Sequence, residues 1–308
     1  MDNNELPYIS VIITAYNRKQ FLINAIKSAV NQTLDKKYYE IIVIKNFRND
    51  IIDNFISENN IIGIISNNYS LGGKLIEALN LAKGTIISFL EDDDLFTNNK
   101  LEIVYNKFKN YSNLCYYHND TIPVTEKYNL KDVNGKGDVS FNMSSISIEK
   151  GIINMNNILN VTQEIDHFIY LQALESNKKI IKGREKLTYY MDHHGSFANL
   201  ITNNLDQFID EFVLLHKNAL GTVLALKTKC HSKRGINYIN ILITYYKLNL
   251  YIYGLSEKPS NLLKYFFYSP SFFKFKQVIA YVLVRIHKNF RMIIINRFFI
   301  QFQRSSDK

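Results

Sequence analysis

The chain has 308 residues, with 37 Lys and Arg against 28 Asp and Glu for a net charge of +9, and only two cysteines. Cys115 and Cys230 are too few and too far apart for a disulfide framework or a metal knuckle, which predicts a reducing compartment. No uncharged apolar run reaches the 18 or so residues of a membrane span, and the segment from Met1 to Pro7 lacks the positive and apolar regions of a signal peptide, so a cytoplasmic location is expected.

The first predicted element is a buried strand at Ile9-Ser10-Val11-Ile12-Ile13-Thr14, which ends in the polar tip Ala15-Tyr16-Asn17-Arg18. Apolar residues at Phe21, Leu22, Ala25, Ile26 and Ala29 then recur at helical spacing from Gln20 to Asn31. A second strand follows at Glu40 to Ile44, a third at Ile61 to Ile65, and a helix from about Gly73 to Ala82. The fourth strand, Thr85 to Leu90, empties into Glu91-Asp92-Asp93-Asp94. Four adjacent carboxylates repel one another, so their retention at a strand end points to a divalent metal and, behind it, a phosphate ligand rather than to a solvated face. Strands alternating with helices predict a mostly parallel sheet covered on both faces. Ligands of such sheets bind beyond the carboxyl ends of the strands, where Tyr16, Asn46 and Asp92 to Asp94 would converge.

These segments, with Asn67 to Lys74 and Ala82-Lys83-Gly84 ahead of the acidic strand, resemble the family 2 glycosyltransferases over roughly the first two hundred residues. The resemblance implies the GT-A fold, a Rossmann-like sheet, and an inverting transfer of sugar from a nucleotide-diphosphate donor, a UDP-sugar by preference, to an acceptor hydroxyl on a glycan or lipid-linked molecule. It implies Mg²⁺ or Mn²⁺ on an Asp-x-Asp element, with Asp93 as a direct ligand and Asp92 or Asp94 as its neighbour. Thr14, Tyr16, Asn46, Lys74, Asp92 and His193 would then surround the donor. The segment Thr162 to Leu171 resembles the family's adjacent Glu-Asp at a helix start, which places Glu164 as general base within about 3 Å of the acceptor hydroxyl. Asp166, at i+2, does not share the helical face of Glu164 and reads either as a helix-start acid or as a substrate residue. Tyr190, His193 and Ser196 match a late Tyr-x-x-His-x-x-Ser element that closes the donor pocket, whereas His194 has no such match.

The chain also departs from the family pattern. Lys45-Asn46-Phe47-Arg48 stands where Asp-Asp-x-Ser is usual, so an amide flanked by cations replaces a carboxylate; those cations would meet the diphosphate, or nucleotide binding has been lost. Tyr69 replaces an expected glycine, and Lys74 an Arg, which keeps the charge without the bidentate fork. Gly72-Gly73 offers backbone N–H groups to an anion. The competing readings are a non-catalytic domain of the same fold that binds a glycan or protein partner, and a nucleotidyltransferase, although the loop after strand one lacks the glycines of the latter.

Composition changes near residue 222. From Thr222 to Lys308 there are 15 Lys and Arg against 2 acids, a net of +13 that leaves the first 221 residues at −4. The expected organisation is therefore a catalytic domain over 1–221 and a basic, aromatic-rich helical extension over 222–308. Cations spaced among aromatic and aliphatic residues suit helices lying on an anionic membrane surface; helices packed on the catalytic domain or forming a dimer are the alternative. Without zinc-finger spacing or an RNP-like element, nucleic-acid binding is not expected.

Overall fold

A computed structural model of the chain describes residues 7–68, 70–124, 141–159, 161, 163–191, 202, 204–256, 258–268 and 272–306. It divides into two compact units, Met1–Asp192 and His193–Lys308.

The first unit is built on β1 (Ile9–Ala15), whose Ile9, Val11, Ile12 and Ile13 are fully buried. β-Branched side chains pack well on both faces of a pleated central strand, and each such burial is worth about 1.5–3 kcal/mol. β1 pairs in parallel with β2 (Tyr39–Lys45) on one side and β4 (Ile86–Glu91) on the other, and β2 pairs in parallel with β3 (Ile62–Ile65). The crossovers run through α1 (Lys19–Val30), α2 (Asp50–Glu58) and α3 (Leu71–Leu81). α1 buries Leu22, Ala25, Ile26 and Ala29, the stripe that its sequence spacing predicts. Asn49 and Ser70 cap α2 and α3 by accepting hydrogen bonds from Ile52 N (3.1 Å) and Gly73 N (3.0 Å).

Beyond β4 the sheet becomes mixed. After β5 (Leu95–Phe96) and α4 (Lys100–Asn110) come β6 (Leu114–Val124) and β7 (Ile146–Glu149), the latter antiparallel to both β4 and β6. A short α5 (Met155–Ile158) and α6 (Ile165–Glu175) lead to β8 (Lys179–Met191), parallel to β6 and antiparallel to β5. The order is β3-β2-β1-β4-β7-β6-β8-β5. The α/β class of the GT-A type is thus present, with its parallel half where the sequence places it. The register sets Thr14 beside Ile44 on one neighbour and Glu91 on the other, so the carboxyl ends of β1, β2 and β4 share one edge.

The second unit is helical: α7 (Leu205–Lys227), α8 (Lys233–Ile252), α9 (Leu262–Tyr268), α10 (Phe272–Ile286) and α11 (Phe290–Ser306). Phe208, Leu248, Ile252, Tyr265, Tyr281 and Ile295 form its core. A buried polar chain fixes the register of three helices: Tyr265 Oη donates to Gln277 Oε1 (2.6 Å), and Gln277 Nε2 to Asn249 Oδ1 (3.1 Å). The charge change at residue 222 lies inside α7, whereas the packing divides the chain at 192.

Candidate functional site

β4 delivers the acidic run to the edge where β1 ends. Asp92, Asp93 and Asp94 are buried, at 0%, 7% and 1% exposure. Arg18, in the turn after β1, lies across the first two: Nη2 is 2.5 Å from Asp92 Oδ1, and Nη1 donates to Asp93 Oδ2. Tyr16 N also donates to Asp92 Oδ2, at 3.3 Å. Burial pushes the Asp92 carboxyl up to about 7 even though Arg18 pulls it down. Asp94 points elsewhere. Its Oδ1 accepts from Met191 N (2.9 Å), and a side-chain hydrogen bond with Ser144 also favours its ionised form. Burial, then Asp93, raises Asp94 to about 7. Glu91 is raised well above the carboxylate range by burial and then by Asp94, Asp93 and Asp166. Lys100, fully buried, donates to Ser144 O and to Thr188 Oγ1 (3.0 Å), and burial lowers its pKa although Asp94 opposes this.

At the ends of β1 and β2, Tyr16 is 52% exposed and carries Lys74 Nζ 4.1 Å from its ring centroid. Lys74 is itself buried, which lowers its pKa. Asn46 faces Asn17 in a reciprocal pair: Asn17 N donates to Asn46 Oδ1 (3.0 Å) and Asn46 Nδ2 to Asn17 Oδ1 (2.9 Å). Asn17 takes φ 59, a left-handed conformation that Asn tolerates in such turns. Thr14 is half-buried at this same edge.

Two expectations are corrected here. Lys45 is turned inward, with Nζ 2.6 Å from both Phe47 O and Asp53 Oδ1, so it braces the turn before α2 instead of facing a diphosphate. Arg48 remains exposed. Gly72 and Gly73 lie within the first turn of α3, and the Gly73 N–H is occupied by the Ser70 cap, which takes it from an anion.

Glu164 begins α6 with φ 62 and ψ 32, a left-handed conformation uncommon for a residue with a side chain. This overturns the helical-face argument. Glu164 lies outside the helix, so its carboxylate comes together with Asp166 and His167, the ligand atoms of all three lying within 4.8 Å of one another. His167 Nε2 is 3.3 Å from Glu164 Oε2, and burial depresses the His167 pKa. His167 N donates to Asp166 Oδ1 (2.8 Å), and burial raises Asp166 to about 6. Phe141 stacks between His118 and His167, at 5.5 and 4.8 Å. Asp166 adds to the rise of the Glu91 pKa, behind burial, Asp94 and Asp93.

Tyr190 lies on β8 opposite Pro123; His193 and Ser196 fall outside the described residues, as does Tyr69. Arg18 and Lys100 are the cations that sequence reasoning missed. Arg18 had a signal in the polar tip after β1, but its partners lie 75 residues away in the chain.

The oxygen set of Asp92, Asp93 and Asp94 suits a hard divalent ion, and Asp93 is the most accessible of the three.

The model of glycosyl transferase family 2 matches residues 10–150. The chain is 30% identical over 205 residues to the Escherichia coli UDP-Glc:alpha-D-GlcNAc-diphosphoundecaprenol beta-1,3-glucosyltransferase WfaP, covering 62% of this chain and 79% of that protein. Of other curated relatives, from Rickettsia and Bacillus, it spans 19% or 20% of the length. Among solved structures, Staphylococcus aureus TarS 1–349 in complex with UDP-GlcNAc superposes with a TM-score of 0.53 at 14% identity, over 89% of this chain and 79% of that one. The Pyrobaculum calidifontis mannosyltransferase PcManGT, in complex with GDP-Man and Mn²⁺, gives 0.53 at 10% identity over 98% and 87%. At these identities the superpositions show the fold.

Proposed function

We propose, from the premise that this chain belongs to glycosyl transferase family 2, that it transfers a sugar with inversion from a nucleotide-diphosphate donor to a hydroxyl of a lipid-linked or polymeric glycan. A UDP-sugar is the favoured donor, because both the UDP-Glc named for WfaP and the UDP-GlcNAc bound to TarS belong to that class. The observation that carries this reading is the buried acidic run at the carboxyl edge of β1 and β4, with Tyr16 N donating to Asp92 and the exposed Tyr16 ring lying over the Lys74 ammonium.

Tyr16 offers its exposed ring to the base, held from behind by the Lys74 ammonium. Asn46, through its amide, contacts the base edge in exchange for Asn17. Lys74 contributes positive charge toward the diphosphate. Glu164 receives the proton of the attacking hydroxyl, and neutral His167 orients its carboxylate. A divalent ion on Asp93, with Asp92 or Asp94, supplies charge compensation for the leaving nucleotide when bound. A reducing compartment, the cytoplasm, goes with this reading, since the chain has only two cysteines, both buried.

The test is calorimetric titration with UDP, GDP and dTDP, with and without Mn²⁺, on the parent chain, Asp93→Ala and Glu164→Gln. Metal-dependent binding of one nucleotide, lost in Asp93→Ala and kept in Glu164→Gln, is expected. Transfer by Glu164→Gln should fall roughly 10²–10⁴-fold. Absence of nucleotide binding throughout would favour the non-catalytic domain, and pyrophosphate release would favour a nucleotidyltransferase.

A further inference from the structure

α10 is apolar on two opposite faces. Gln277, Ala280, Tyr281 and Val284 point into the second unit and are buried, with Gln277 tied into the polar chain to Tyr265 and Asn249. A helix packed on one side would be expected to show polar residues on the other. Instead Phe275, Ile279, Val282 and Ile286 are 47%, 40%, 44% and 73% exposed. At 3.6 residues per turn these four fall within an arc of roughly 60°. Lys276 and Arg285, both exposed, lie roughly 90° to either side of that arc, so the apolar stripe has a cation along each border.

The neighbouring helices repeat the pattern. α9 and α11 pack against α10. α9 exposes Leu263 (75%) and Phe267 (70%), one turn apart, beside exposed Lys264. α11 exposes Ile293 (62%) and Ile300 (48%) with Arg297 on the same side. No Asp or Glu occurs among the described residues from 222 to 306. No helix among the described residues is long and apolar enough to cross a membrane.

We propose that the outer face of α10, flanked by α9 and α11, docks the protein on an anionic lipid surface, with the apolar stripe in the acyl boundary and the bordering cations among the headgroups. Charge selects this occupant over a second copy of the chain. Pairing α10 with α10 across a two-fold axis would set one cation-bordered stripe against another, with no described acid on these helices to receive either border. A bilayer presents the complementary layers, apolar beneath and anionic above. The inference stands apart from the transferase reading, because it concerns the second unit by itself.

The experiment is flotation of the whole chain with vesicles of phosphatidylcholine alone and of phosphatidylcholine with phosphatidylglycerol. Binding to the anionic vesicles, weakened by salt, is expected. Ile279→Ser with Val282→Ser, and separately Lys276→Glu with Arg285→Glu, should each weaken it by roughly 10-fold or more. These side chains face outward, so unchanged circular dichroism and melting should accompany the loss. The chain contains no Trp. Val282→Trp therefore installs a single probe whose emission should shift to the blue on adding anionic vesicles. Equal binding by parent and substituted chains, or none by the parent, would overturn the proposal. A blue shift that follows protein concentration without lipid would overturn it in favour of a second copy. Nucleotide binding, measured on the same samples, keeps this outcome separate from the fate of the transferase reading.

Discussion

Gly72→Ala tests how the fold supports the site. A Cβ at Gly72 would lie 2.1 Å from Ile158 O, 3.0 Å from Val161 O and 3.1 Å from Ile158 C. Reaching ordinary contact at 3.4 Å requires an opening of about 1.3 Å. The obstacle is backbone, and Ile158 O is already held by Val161 N at 2.8 Å. Overpacking of this kind costs about 1–3 kcal/mol, and weakening that hydrogen bond about 1 more. The higher helix propensity of Ala returns about 1 kcal/mol, and nothing is lost to backbone strain, since Gly72 is not in the left-handed region. A net loss of about 1–3 kcal/mol is expected in urea unfolding. Gly73→Ala is the control. Its Cβ would meet Asn68 Oδ1 at 2.5 Å and Ser70 Oγ at 2.9 Å, side chains that can swing. Losing the Asn68 Nδ2 to Glu77 Oε1 bond costs about 1 kcal/mol, which the gain in propensity offsets, and weakening the Ser70 cap leaves a net loss of about 1 kcal/mol. Ile158 and Val161 lead directly into Glu164, so a displacement on that side should reduce turnover by about 10² while sparing nucleotide binding. Equal unfolding midpoints for the two variants would refute this account of the α3 contact.

Arg18→Met removes the cation shared by Asp92 and Asp93. Asp92, whose pKa is raised to about 7, contributes stability that is complete below its ordinary value of 3.8 and fades as pH rises through 7, and the variant should extend that loss. Arg18 is 29% exposed, so the cost at pH 8 is set at about 1–3 kcal/mol, shrinking at pH 6, where a proton replaces the guanidinium; equal costs at both pH values in urea unfolding would contradict the pairing. His216 is buried, donates from Nδ1 to Phe212 O (2.9 Å) and is held down to about 4 by burial. A depressed base contributes stability present above its ordinary 6.5 and lost as pH falls toward 4, by about 3 kcal/mol in full. His216→Phe, which preserves the stack on Phe212, should flatten the acid limb of unfolding; an unchanged limb would show that His216 is not its source.

The parallel half of the sheet was legible because its strands are continuous apolar runs and α1 repeats every three to four residues. β8 was not. Its Lys179, Lys182, Arg184, Glu185 and Lys186 interrupt any apolar run, and it is held by pairing with β6. β6 likewise carries His118, Asn119, Asp120 and Thr121, and β5 is two residues long, too short to leave a period. Within the site, Tyr16, Lys74 and the acidic run could be found from strand ends and family resemblance. The left-handed turn at Glu164 could not, since no glycine marks it, and with it went the nearness of Asp166 and His167.

The four carboxylates do not act as one group. Charge repulsion alone suggests a single cation among them, yet the chain supplies two, directed at different members: Arg18 at Asp92 and Asp93, and Lys100 near Asp94. Asp94 also accepts the Met191 N–H, tying the end of β4 to the end of β8, as a structural acid would. Asp92 is anchored twice to the first turn of the chain, through Tyr16 N and Arg18, and has no exposure. Asp93, the most accessible of the three aspartates, has its Oδ2 paired with a guanidinium that is itself partly exposed. Asp93 is therefore the one of the three that a ligand would reach with least rearrangement, since Asp92 has no exposure and Asp94 is bonded to Met191 N. That division of labour supports the proposal of Asp93 as the direct ligand; the sequence alone leaves its neighbour, Asp92 or Asp94, open.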